Sequence, residues 1–132
     1  MGESAGAVSL WFGNCRRQND LNKYVEIKYD EHGDRVRSMF MSDFNLDFLD
    51  YNQDLLECTF RETSSSTISE LLMNASFSEV IIRELVEFYG DDLAEEYNIA
   101  IRLYDYEYED DIEEAFLDSR KLTYIGSVVY ED

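Results

Sequence analysis

The sequence predicts an α+β domain: an antiparallel or mixed sheet of about four strands covered by helices, in the order βααβααββ. Three observations lead there. Short apolar or alternating runs stand near the beginning, middle and end of the chain, helical spacings with capping signals fall between them, and there is no proline, repeat or low-complexity linker to divide the whole. At 132 residues the chain fits one domain, residues 1–132. A domain of this size buries roughly two thirds of the surface its unfolded chain exposes. Ten Tyr and eight Phe are ample for a core, so the strong acidity is not a sign of disorder.

The elements follow in order. Ala7-Val-Ser-Leu-Trp-Phe12 is short, apolar and closed by Gly13-Asn14, a core strand. Asn19 or Asp20 caps a helix to about Lys28, with Leu21, Tyr24, Val25 and Ile27 or Lys28 spaced for one buried face. Tyr29 to Gly33 has turn composition, and a short helix over Ser38 to Phe44 presents Phe40 and Phe44 on one side. Leu55 to Arg61 reads as a second strand, with Leu56, Cys58 and Phe60 alternating against Leu55, Glu57 and Thr59. Two capping boxes come next. Thr67-Ile-Ser-Glu70 opens a helix to about Asn74, and Ser76-Phe-Ser-Glu79 opens a longer one to about Tyr89. Phe77, Ile81, Leu85 and Phe88 make the expected buried stripe of the longer helix, and Gly90 is its stop. Asn98-Ile-Ala-Ile-Arg-Leu-Tyr104 and Lys121-Leu-Thr-Tyr-Ile-Gly-Ser-Val-Val-Tyr130 are the clearest strands, expected to pair antiparallel across an acidic connection.

Charge narrows the function. With 30 Asp+Glu against 11 Lys+Arg the formal net charge is -19. Residues 1–37 hold six acids and six bases, so residues 38–132, with 24 acids and five bases, carry the whole excess. Self-repulsion on this scale destabilises a compact chain, which points to a function that requires it. Nucleic acid and anionic membrane surfaces are repelled, and a basic protein is attracted. No stretch approaches the ~20 apolar residues of a membrane helix. The segment before Trp11 lacks the basic start and apolar run of a signal peptide. Gly6 stands where myristoylation of Gly2 needs Ser or Thr. The expectation is a cytoplasmic protein, with Cys15 and Cys58 as free thiols.

Catalytic chemistry finds little support. His32, the one histidine, sits in Asp30-Glu-His-Gly-Asp34 and reads as a solvated turn residue. Phosphate-loop, dinucleotide and zinc-hydrolase motifs are missing. A calcium-loop frame begun at Asp105 puts Asp110 where the turn glycine is needed and Phe116 where the bidentate Glu is needed. Among 30 acids, some pair always lies at a glycosidase-like spacing, so such a pair carries no information. A binding protein is expected rather than an enzyme, with no catalytic residues, cofactor or metal.

Two acidic tracts are the candidate contact surface. The first is Asp91 and Asp92 with Glu95 and Glu96; the second spans Asp105, Tyr106, Glu107, Tyr108, Glu109, Asp110, Asp111, Glu113 and Glu114. On an extended segment, alternate carboxylates lie about 6.6 Å apart on one face and imitate a phosphate backbone to a basic cleft. Tyr106 and Tyr108 offer rigid amphipathic anchors of the kind enriched at interface centres.

The chain also resembles a known family. Val8-Ser-Leu-Trp-Phe-Gly-Asn14, Tyr24, Tyr29-Asp30, Ser38-Met-Phe40 leading to Asp43-Phe44, Asn98-Ile-Ala-Ile, Tyr104-Asp-Tyr-Glu-Tyr108 and Leu122-Thr-Tyr-Ile-Gly-Ser-Val are similar to the immunity protein 22 family of bacterial polymorphic toxin systems. The resemblance spans nearly the whole chain. It implies a cytosolic protector that binds a toxin domain, often a nuclease, and it brings no catalytic residues with it. Trp11 and Phe12 then read as core, and Gly126 as a bulge or close-packing point. The expected partner is a basic toxin domain whose substrate cleft is covered by the acidic tracts. A DNA-mimic regulator that blocks a nucleic-acid-binding protein stays open as a second reading, and a carboxylate-dependent metal hydrolase as a third.

Overall fold

The computed structural model describes residues 6–49, 51–108, 112–117 and 120–130, without the side chains of 116, 117 and 120. The apolar run Ala7–Gly13 forms β1, buried along its whole length. Such a strand needs partners on both edges and cover on both faces, and it becomes the centre of a five-stranded sheet. Its neighbours are β5 (Asp92–Tyr104) and β7 (Arg120–Val129); β4 (Leu56–Thr67) and β6 (Glu114–Leu117) form the edges. Every adjacent pair is antiparallel. The α+β class holds.

Helices pack on both faces. On one, α1 (Gln18–Val25) and α2 (Met39–Asp43) join Trp11, Ile99, Ile101, Leu103 and Leu122 in an aromatic-rich core. On the other, α3 (Ile68–Leu71) and α4 (Ser78–Tyr89) cover Val8, Leu10, Phe12, Ala100 and Val128. The alternation of Leu10 and Phe12 against Trp11 along β1 supplies both cores from one strand.

Several expectations change. The strands expected to pair across the acidic connection, now β5 and β7, are separated by β1, and the hairpin partner of β7 is the unforeseen β6. The apolar β1 outcompetes that local pairing because both of its edges must be satisfied. Lys28–Tyr29 (β2) and Arg35–Val36 (β3) form a small second sheet around the expected turn, and β4 and β5 extend well beyond their expected ends. The order is therefore richer than βααβααββ. Helix α1 starts at Gln18, its N-cap Arg17 makes no side-chain cap, and it ends before Ile27. Neither capping box closes as expected. Thr67 makes no cap bond, and the Ser69 N–H instead donates to Asp91 at 2.9 Å. Helix α4 begins one residue late at Ser78, with Phe77 left-handed at φ 60°, because Ser76 is drawn to Glu57 on β4. Ile81 and Leu85 are buried, but Phe77 (54 %) and Phe88 (74 %) are exposed. Ser38 does cap α2 through the Met41 N–H, and Gly90, at φ 77°, ends α4. Cys15 is buried with its thiol donating to the Arg17 carbonyl, and burial pushes the Cys58 thiol up to about 12.

Candidate partner-binding surface

The chain leaving β5 does not continue as an extended row of carboxylates. It turns at Asp105, left-handed at φ 57°, and crosses the α1/α2 face of the sheet as a strap. The turn is tied at both chain ends. Asp105 Oδ1 accepts from the Gly6 N–H at 2.9 Å and the Tyr130 hydroxyl at 2.6 Å, while the Asp105 N–H donates to Ala7 at 2.7 Å. These bonds, the one from Tyr130 foremost, hold the Asp105 carboxyl below the usual range. Asp105 is thus a structural hub as well as an acid.

Beyond it the strap is fastened from beneath. The buried Ser9 hydroxyl donates to the Tyr106 carbonyl at 2.8 Å, and the Tyr108 N–H donates to Ser9 Oγ at 2.9 Å. Tyr108 is only 5 % exposed, with its ring 5.6 Å from Trp11 and 4.8 Å from Tyr124 and its hydroxyl donating to the Phe44 carbonyl. Tyr108 therefore plugs the core, and as placed here its ring is not available as an exposed anchor. Tyr106 is half-buried against the same core. The outward groups of the strap are carboxylates: Glu107 and Glu113 are exposed. Glu109, Asp110 and Asp111 lie outside the described residues.

The far end of the tract meets the first tract. Lys121 on β7 contacts Glu95 on β5 at 3.1 Å and Glu114 on β6 at 3.3 Å, just past the point where β1 ends. Hydrogen bonds donated to Glu95 and then to Glu114 raise the Lys121 pKa. One lysine therefore gathers a carboxylate from each tract, with Glu96 exposed nearby and its carbonyl accepting from Asn14. The two ends of the second tract stay apart: Asp105 sits at the Ala7 end of β1 and Glu114 near the Gly13 end, roughly 20 Å away at ~3.3 Å per strand residue. Asp92 is exposed at the start of β5, while Asp91 caps Ser69.

Two further features lay outside sequence reasoning. Arg102 is 2 % exposed on the α3/α4 face, its Nε donating to Glu57 at 3.0 Å. Burial pushes the Glu57 carboxyl up, but bonds from Ser76, the Arg102 charge and the Tyr104 hydroxyl outweigh it and leave the group below the usual range. A charge set between Ile101 and Leu103 was the available signal for such a pair. On the outside of α4, Met73, Ile82, Arg83 and Val86 line a groove of about 580 Å³, on the sheet face opposite the strap. Among the described residues no His, Cys, Asp and Glu cluster could hold a metal ion, and no helix is long and apolar enough to cross a membrane. His32 lies exposed in the β2–β3 turn, where its N–H donates to Asp30.

A family model described as Immunity protein 22 matches residues 8–131. The chain belongs to this family. The match runs from β1 through the strap to the end of β7, so the Immunity protein 22 pattern covers the whole sheet and both helical layers. No curated protein and no solved structure matches. Gly126, read from the Immunity protein 22 resemblance as a bulge or close-packing point, is both: the β1–β7 register shifts beside it, and a Cβ there would lie 2.9 Å from the Tyr89 hydroxyl.

Proposed function

We propose that this chain neutralises a bacterial toxin domain in the cytoplasm by binding it, and that the partner is a basic domain with nuclease activity. Family membership supports the immunity role. The observation that carries the choice of surface is the net charge of -19, with Glu95 and Glu114 gathered on Lys121 beside the strap. Glu107, Glu113, Glu114, Glu95 and Glu96 meet Lys and Arg side chains of the toxin's substrate cleft, with Asp92 and residues 109–111 enlarging the field. Asp91, Asp105 and Tyr108 hold the surface from behind. Tyr106 contributes its accessible edge. Complementary charge at this density accelerates encounter toward ~10⁸–10⁹ M⁻¹s⁻¹ at low salt, which suits an inhibitor racing a lethal enzyme.

The test is co-expression with the basic C-terminal domain of a toxin encoded by a neighbouring reading frame, scoring growth and co-purification. The unaltered chain rescues growth. Glu107→Lys with Glu113→Lys, which leaves Asp105 and its bonds intact, is expected to abolish rescue while the far-ultraviolet dichroism stays unchanged. Rescue by the reversed protein would show that another surface binds. Competition by duplex DNA against several unrelated basic proteins would favour a DNA-mimic regulator instead.

A further inference from the structure

Two segments far apart in sequence, Ser9-Leu-Trp-Phe-Gly-Asn14 and Tyr124-Ile-Gly-Ser127, meet beneath the strap. Ser9 Oγ lies 2.7 Å from Ser127 Oγ, which lies 2.6 Å from the Tyr124 hydroxyl. The proton directions follow from donor counting. Ser9 has one hydroxyl proton, and the Tyr106 carbonyl can only accept, so that proton goes to Tyr106. Ser127 must then donate to Ser9, and Tyr124 to Ser127. With the Tyr108 N–H as a second donor, Ser9 Oγ gives one hydrogen bond and receives two, which saturates it. The chain runs Tyr124 to Ser127 to Ser9 to the strap backbone.

A regular strand would forbid this arrangement, because residues three apart point to opposite faces. The irregularity opposite Leu10 and Trp11 inserts one extra residue in β7, so Tyr124 pairs with Trp11 while Ser127 pairs with Ser9, both on the strap's face. Gly126 stands at that bulge. Ser9, at 0 % exposure in the middle of an apolar strand, has its hydroxyl turned to this network.

We propose that Ser9, Ser127 and Tyr124 are positioning residues that fasten Tyr106 and Tyr108 of the acidic strap across β1 and hold Glu107 between them in place before the partner arrives. The inference rests on the acidic-surface reading above and names what makes that surface rigid. A segment ordered in advance avoids the entropy cost of ordering it on binding.

Ser9→Ala removes the donor to Tyr106 and the acceptor for Tyr108 without adding volume. In the free chain, amides of 106–108 are expected to exchange hydrogen about 10-fold faster, with β4 and β5 unchanged. Ser127→Ala shifts exchange in the same direction by less, and Ser127→Thr, which keeps the hydroxyl, restores the original rate. Against the inactivated toxin domain from the neighbouring reading frame, Ser9→Ala is expected to dissociate about 10-fold faster while the salt dependence of association stays the same, since no charge has changed. Unchanged exchange at 106–108 overturns the proposal, and so does faster exchange with unchanged dissociation. Failure of the underlying reading looks different: Glu107→Lys with Glu113→Lys then binds like the unaltered protein, whatever the exchange shows.

Discussion

Arg102 sets the sharpest energetic constraint at the scale of single residues. It is almost fully buried, its Nη1 has no partner among the described residues, and Glu57 supplies its ion pair. Glu57→Ala strands that charge and is expected to cost about 3 kcal/mol in denaturant unfolding, the lower end for a broken buried pair because Glu57 keeps partial contact with water. Acid gives a second reading of the same contacts. Glu57 and Asp105 both have carboxyl pKa values held below the ordinary range in the folded chain. Their contribution is present above the unfolded pKa and is lost as pH falls through the folded values. Between about pH 7 and about pH 3 these two groups therefore contribute a loss of stability, and comparing unfolding midpoints of Glu57→Gln with the unaltered chain over that range should show the Glu57 part removed. Gly13 adds a steric constraint: a Cβ there would lie 2.7 Å from a Leu122 methyl and 2.8 Å from the Lys121 carbonyl. Gly13→Ala is expected to cost about 1–3 kcal/mol by overpacking.

At the scale of elements, α4 shows how far periodicity reaches. Its spacing identified the buried Ile81 and Leu85, yet placed Phe77 and Phe88 on the same stripe, where both are exposed. Spacing defines a helix face, and the layer packed against it decides which positions on that face are covered. Leu85→Ala is expected to cost about 2–5 kcal/mol, whereas Phe88→Ser should change stability by no more than about 0.5 kcal/mol; thermal or denaturant melts of the two variants check the contrast. The capping boxes carry the same lesson. Their spacing predicts hydroxyls bonding locally, and Ser76 instead donates to Glu57, nineteen residues upstream on β4. For the strap, sequence reading located the acids and the tyrosines but took them as one extended row. The left-handed Asp105 and the buried Tyr108 break that row, and both depend on contacts with β1 and α2 that lie far away in the chain.

At the scale of the whole molecule, the excess of acids governs behaviour in solution. Self-repulsion is screened by salt, so the thermal midpoint of the free chain is expected to rise between about 0.05 M and about 0.5 M sodium chloride. A falling midpoint would mean that attractive contacts such as Lys121 with Glu95 and Glu114 outweigh the repulsion. Binding to the toxin domain should respond oppositely, with association slowing steeply as salt rises, because the steering field is screened while the contacts that govern dissociation are short-ranged.

The sequence by itself determined the class of fold, the central apolar strand, the family pattern and the location of the charge. Each of these is written in local composition or in periodicity, which act over a few residues. Only the tertiary structure decided that β1 separates β5 from β7, that Lys121 joins the two acidic tracts, and that Ser9, Ser127 and Tyr124 converge beneath the strap. Those depend on which edges and hydroxyls must be satisfied once the sheet has formed. A buried donor or acceptor finds its partner by distance in space, and residues 9 and 127 are neighbours only because β1 and β7 pair.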